Sequence, residues 1–378
     1  MWWWYLGLLL TACDRPEPLI YEPVPFDDDA ICASRDCGAS CGGGRVCDLG
    51  GDCTGGDVDC TEPAIEDTDG WDDPPGTGRM FVISAFAIAD RDRGFDVDGK
   101  CSGPGACIDN SLYRLGQLGN DQIRQGLLGG DSLILLEIAG LDAPHEGSDR
   151  SVTVKVYGGR DADDPPFPAN NFSIPTGETR CCEYLIDGRS LEGGQARARI
   201  PARIVRGLLR STSRTVGGPL QLPVPTSTPS QGLTEARVER IQLSARLPAN
   251  LSEMNEGLIG GVVSMSTLAQ TPNPFCKTLN NLCQRQIPAL SALDLALSIL
   301  QADIDLDGDG LERIEVGQDG RIDRCYDGCG TTACRVLAVD PARPESCVLD
   351  PRIVDGYSVG IAVSGVSAIV VGVGGGAP

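Results

Sequence analysis

Residues 301–316 read QADIDLDGDGLERIEV, and Asp303, Asp305, Asp307 and Asp309 occupy every second position. Carboxylates packed this closely repel one another unless a cation sits among them. Residues 303–308 satisfy D-x-D-x-D-G. Alternate aspartates in a tight turn point three carboxylates at one centre, and the glycine permits the bend. A purely oxygen donor set suits calcium, which takes roughly six to eight such ligands. The next carboxylates downstream are Glu312 and Glu315, so the candidate set is Asp303, Asp305, Asp307, Asp309, Glu312 and Glu315, in a loop over 303–315. The alternative is a solvated acidic turn.

The motif resembles the calcium loops of EF-hands, dockerins and thrombospondin type 3 repeats, over about a dozen residues. Counted from Asp303, the twelfth position is Ile314, where an EF-hand carries its bidentate Glu; counted from Asp305 it is Val316, with Glu315 one place early. That displacement implies a modified structural loop rather than a sensor hand. A second acidic stretch, DRDRGFDVDGKC over Asp90–Cys101, offers Asp90, Asp92, Asp96 and Asp98 as a weaker metal candidate. Arg91 and Arg93 offer a competing account, since they neutralise the same carboxylates.

Other chemistry is sparse. Gly356-Tyr357-Ser358-Val359-Gly360 spells G-x-S-x-G, but the nucleophile elbow needs a strand–turn–helix followed by an acid and a His. Ser358 lies inside an alternating apolar run, and the single His, His145, precedes it. The match is coincidental. One His also removes His-based zinc sites and most acid–base designs. A carboxylate pair for glycoside hydrolysis stays open, because 53 acidic residues offer many pairs. No catalytic residue is nominated.

The formal charge of −22 repels nucleic acid and anionic headgroups and attracts cations, so no nucleic-acid partner is expected. Hydrophobic residues make up 41%, enough for a core. The 49 glycines favour turns and short strands over long helices.

The opening MWWWYLGLLLTAC ends in Leu10-Thr11-Ala12-Cys13, which resembles the lipobox of bacterial lipoproteins. The resemblance implies a signal peptide over 1–12 and an acylated Cys13 that anchors the protein to a membrane of the bacterial cell envelope. The n-region departs from the pattern in having no Lys or Arg. Cys13 taken from the 17 cysteines leaves 16, an even number that suits disulfides outside the cytoplasm. Six of them (Cys32, Cys37, Cys41, Cys47, Cys53 and Cys60) crowd a segment too short to bury a core, and crosslinks would substitute for one. A zinc module would favour C-x2-C pairs, which are absent there. Cys181 and Cys182 are expected to pair, with each other or elsewhere.

These features must be held by elements that the patterning describes. A Pro-rich acidic tether spans 13–30, the Cys-rich module 31–60, an acidic linker 61–78, and a β-rich domain 79–378. Met80–Ala89, Asp131–Gly140, Ser151–Tyr157, Arg237–Leu247 and the run from Tyr357 read as strands, mostly with alternating apolar residues. Leu112–Leu128 and Ile287–Gln301 have helical spacing. The expected class is mainly β, a β-sandwich or jelly-roll-like domain with one or two helices behind a small disulfide-rich module. The whole resembles uncharacterised Cys-rich lipoproteins of GC-rich Gram-negative bacteria. The expectation is a calcium-stabilised, non-catalytic structural or binding protein, for an envelope glycan or another surface protein. The alternative is a carbohydrate-active hydrolase of the envelope.

Overall fold

The computed structural model describes residues 40–42, 45–47, 53–54, 69–98, 108–130, 133–142, 148–163, 166–173, 182–211, 220–224, 234–270, 300–308, 310–316, 322–327, 335–337 and 354–374. In chain order the elements that matter are β1 (Arg79–Ile88), α1 (Tyr113–Leu128), β2 (Leu133–Ala139), β3 (Asp149–Asp161), β4 (Glu183–Asp187), β5 (Ala198–Val205), β6 (Leu208–Ser211), β7 (Thr234–Arg246), β8 (Glu253–Ser264), β9 (Arg313–Val316), β10 (Ile322–Asp327), β11 (Gly356–Ser367) and β12 (Ile369–Gly374).

The fold is mainly β, as the patterning predicts, but the main sheet closes on itself. Each neighbour pairs antiparallel in the ring β1–β2–β3–β5–β6–β7–β8–β11, and β11 returns to β1. This eight-stranded barrel replaces the expected sandwich or jelly roll. The cause is β3. Its 13 residues bond β2 along one edge, while the other edge takes β5 opposite residues 149–156 and β4 opposite residues 159–161. One long strand therefore closes the ring and also starts a flap, in which β12 lies parallel to β4.

The alternation seen in the sequence sorts side chains to the two faces of the barrel wall. Ile134, Leu136 and Ile138 of β2, Val152, Val154 and Val156 of β3, and Ile200, Ala202 and Ile204 of β5 join Leu243, Ile259, Val359 and Ile361 in one buried cluster. The alternate positions face outward and are also buried: Glu137, Thr153, Lys155 and Arg203 are polar, while Met80, Val82, Leu133, Leu135 and Tyr157 form a small apolar core of their own. No helix among the described residues is long and apolar enough to cross a membrane.

Outward polar residues are covered by a strap over 69–78. The Glu137 carboxylate accepts from the backbone N–H groups of Gly76 and Gly78 and from the Tyr157 hydroxyl. Lys155 donates to the Asp73 carbonyl, and the Arg199 guanidinium stacks on Trp71. A second small core outside the barrel joins Ala89, Phe95, Val97, Leu258, Val262 and Ile304. It forms because Gly260 leaves room for the Phe95 ring: a Cβ there would lie 2.3 Å from the ring edge.

Helix α1 begins one residue later than expected; Leu112 just ahead of it and Leu115 in its first turn enter the main core. Its Asn120 amide bonds both the N–H and the carbonyl of Ile88, pinning the helix to the end of β1. The second expected helix, apart from residues 300 and 301, and nearly all of the Cys-rich segment lie outside the described residues. Within that segment Ser40–Gly42, Arg45–Cys47 and Cys53–Thr54 form a three-stranded antiparallel sheet. Cys182 departs from the expectation that it pairs with Cys181 or elsewhere. It is a free thiol that donates to the Asn170 carbonyl oxygen at 2.7 Å.

Candidate metal centre

The acidic loop is tied to the barrel where β11 begins. Ile304 pairs with Gly356 through reciprocal backbone bonds of 3.2 and 3.1 Å and buries its side chain in the outer core. The residues on either side of Ile304 meet different surroundings. Asp303 faces β11 and the entry to α1: its carboxylate accepts from the Ser358 N–H, the Ser358 hydroxyl and the Ser111 hydroxyl. Asp305 turns toward the bend, accepting from the Gly308 N–H at 2.6 Å. Gly308 has φ of +85°, a left-handed conformation that glycine adopts without a Cβ penalty.

Asp305 and Asp307 converge with Asp355, a residue that the sequence reading did not nominate. Carboxylate oxygens of the three lie within 4.8 Å of one another. Asp355 is fully buried just ahead of β11 and accepts from the backbone N–H groups of Leu306 and Glu312. Glu312 answers in kind: its Oε2 accepts from the Asp355 N–H at 3.0 Å. The other oxygen, Oε1, is buried without a hydrogen-bond partner in a residue only 3% exposed. A buried carboxyl oxygen without a partner costs about 1–3 kcal/mol, and here either a proton shared with the adjacent Asp355 carboxyl or a cation would relieve it.

The electrostatics agree. Burial, then the hydrogen-bonded Asp355 carboxyl and the Asp307 charge, push the Glu312 carboxyl far above the usual carboxylate range. Burial also raises Asp355, against the lowering effect of the Glu312 side chain and the backbone donors, with Asp305 adding repulsion. Two buried carboxyls side by side resist ionising together. A divalent cation would ease that conflict; Asp305, Asp307 and Asp355 are the residues placed to hold it, with Glu312 packed behind Asp355.

Among the remaining nominated residues, Glu315 sits on β9, accepting from the Tyr326 hydroxyl and pairing with Arg313 at 3.3 Å. Asp309 lies outside the described residues. A bulge in β7 serves the loop from the other side. The register of β7 on β8 shifts between Glu239 and Gln242, Arg240 takes φ of +50°, and its guanidinium donates to the Leu306 carbonyl.

In the second acidic stretch Asp90 and Asp92 are exposed, while Asp96 and Asp98 lie within 4.8 Å of Asp109. Asp109 Oδ2 accepts from the N–H groups of Val97 and Asp98. Burial, opposed by the Val97 N–H and helped by the charge on Asp98, lifts its carboxyl to about 6.

Asp109 and Asp303 also line a cleft of about 500 Å³ between the start of α1, the 91–98 loop and residues 300–303. The wall is rigid at Asn110, whose amide donates to the carbonyls of Ala89, Asp90 and Arg93 and accepts from the Gly360 N–H. Ser358 lies in β11 with its hydroxyl donating to Asp303 and accepting from the Ser111 N–H. It is a strand residue, not an elbow, and His145 lies outside the described residues. Compared with known proteins, the chain matches no family model, no curated protein and no solved structure. Function therefore has to be argued from the site.

Proposed function

We propose that this chain is a non-catalytic binding or structural protein of the bacterial cell envelope, held by an acyl chain on Cys13 and stabilised by calcium in the 303–315 loop. The observation that carries the metal reading is the convergence of Asp305, Asp307 and buried Asp355 carboxylate oxygens within 4.8 Å of one another, with buried Glu312 bonded to Asp355 behind them. A carboxylate-only set of this kind suits a hard cation, and calcium tolerates its irregular geometry better than magnesium does. The cation joins residues 305–307 to the residue before β11, so its role is to staple a loop onto the barrel wall. The envelope reading is supported by the lipobox at Leu10–Cys13 and the excess of cysteines.

The test is a titration of the chelated full chain with calcium chloride, followed by calorimetry. One equivalent should bind with a dissociation constant of about 0.1–1 mM, the range of extracellular modules. No heat and no stabilisation through about 10 mM calcium, at least tenfold above that range, would sink the metal reading. For the anchor, Cys13→Ser should move the protein from the membrane to the soluble fraction.

A second reading is favoured by the cleft. A hydrolase needs a concave site with two carboxylates, one of raised pKa, and Asp109 and Asp303 line one. Against it, Asp303 is engaged by three donors and Asp109 Oδ2 by two. Hydrolysis of aryl glycosides that Asp109→Asn abolishes would establish the hydrolase reading.

A further inference from the structure

The cleft beside the acidic loop offers a ligand site of definite chemistry. Its volume of about 500 Å³ falls in the range of small-molecule sites. Its lining includes two basic residues, Arg91 and Arg114, and two acidic ones, Asp109 and Asp303, together with Gln301 and Tyr113. Arg114 Nε donates to the Tyr113 hydroxyl at 3.0 Å, which leaves the phenolic O–H to donate outward.

Consider what each ligand class would meet. An anion would meet Asp109 and Asp303 in the lining, a cation would meet Arg91 and Arg114, and either would bring like charges together. A neutral ligand bearing neighbouring hydroxyls meets no such penalty, since each hydroxyl both donates and accepts. The planar Arg91 guanidinium and Gln301 amide can each meet two hydroxyls, while Asp109 and Asp303, partly engaged by Val97, Asp98, Ser111 and Ser358, accept at the lone pairs that remain. The walls are preorganised, because Asn110 locks the 90–93 turn to β11 and Asp303 is fixed by Ser111 and Ser358. Preorganised polar groups lose little freedom on binding.

We propose that this cleft binds a neutral polyhydroxylated ligand, one or two sugar rings, through Arg91, Arg114, Asp109, Gln301 and Asp303. The proposal rests on the reading of the chain as an envelope binding protein and gives that reading a site and a ligand class. Because Asp303 stands two residues before Asp305, removal of calcium is expected to weaken sugar binding by loosening one wall.

The experiment is saturation-transfer difference NMR and calorimetry on the full chain in calcium. The probes are glucose, galactose and N-acetylglucosamine with their dimers, glucuronic acid and glucosamine as charged analogues, and glycine as a zwitterion. Neutral sugars should bind best, and Arg91→Ala and Gln301→Ala, both at exposed positions, should each weaken binding about tenfold, which is about 1.4 kcal/mol. A cooperative melt establishes that each variant is folded. The proposal is overturned if no neutral sugar binds the folded protein, if a charged probe or glycine binds more tightly, or if both variants bind like the parent. The calcium titration is read separately: a melt indifferent to calcium removes the metal reading and leaves the sugar result to judge the cleft alone.

Discussion

Glu312→Gln separates a cation site from a merely acidic turn. In the absence of metal the parent's Glu312 carboxyl, raised by burial and by Asp355, holds its proton near neutral pH. A Gln amide has nearly the shape of that neutral carboxyl and still accepts from the Asp355 N–H. The metal-free variant should therefore melt within about 1 kcal/mol of the parent. In about 10 mM calcium, with a dissociation constant of about 0.1–1 mM, the parent gains about 1.4–2.7 kcal/mol by mass action. For a domain of this size that raises Tm by about 3–10 °C. The variant carries no charge beside Asp355 for the cation to neutralise and should lose part of that gain. Differential scanning calorimetry in chelator and in calcium gives the four melts required. The reasoning is refuted if the parent melts alike in both conditions, or if Glu312→Gln keeps the full calcium increment. A variant that loses several kcal/mol without metal would show instead that the Glu312–Asp355 pair is a structural lock.

Three further outcomes are expected. Burial opposes ionisation of Asp187, but Arg189 and Arg160, at 2.7 and 3.1 Å, and the Arg189 N–H outweigh it and hold the carboxyl at about 2. A depressed folded pKa gives stability that is complete above about 4 and is lost as pH falls toward about 2, worth about 2 kcal/mol before screening of the half-exposed arginines; Asp187→Asn should flatten acid denaturation across that window. Tyr357 is fully buried with its hydroxyl unpartnered, so Tyr357→Phe should leave stability in urea unchanged or raise it by about 1 kcal/mol, and a clear loss would reveal a partner for the hydroxyl. Gly260→Ala drives a Cβ into the Phe95 ring and should cost about 1–3 kcal/mol by chemical denaturation.

How far the sequence speaks depends on whether a feature is local. The strands at β1, β2, β3, β7 and β11 are legible because apolar alternation is a property of neighbouring residues. β5 is not, since Pro201 argues against a ladder strand even though it stands opposite Thr153 of β3. β8 is not, since Gly257, Gly260 and Gly261 break its pattern; those glycines admit Val363, Phe95 and Val238 at close range. Barrel and sandwich share one alternation, and only the pairing of β3 with β5 distinguishes them. The same divide runs through the site. Asp305, Asp307 and Glu312 are visible in one stretch, but the pairing of Glu312 with Asp355 crosses 43 residues. The single local hint was an Asp directly before a glycine-led alternating strand. Nor did the even spacing of the aspartates reveal that Asp303 serves Ser358 and Ser111, a consequence of Ile304 being held to Gly356.

The pairing of β1 with β11 places a constraint on the order of events in folding. Ser84 donates to Ser364 across 280 residues of chain, and β11 lies between β8 and β1 in the ring. Closure of that loop is entropically slow, and the ring cannot form until β11 has emerged. Until then β1 and β8 each present a bare edge to any passing strand. The strand that carries Ser358, and follows Asp355, acts as the keystone of the ring, so anything that seats its first residues early shortens the interval in which the unfinished barrel is open to aggregation.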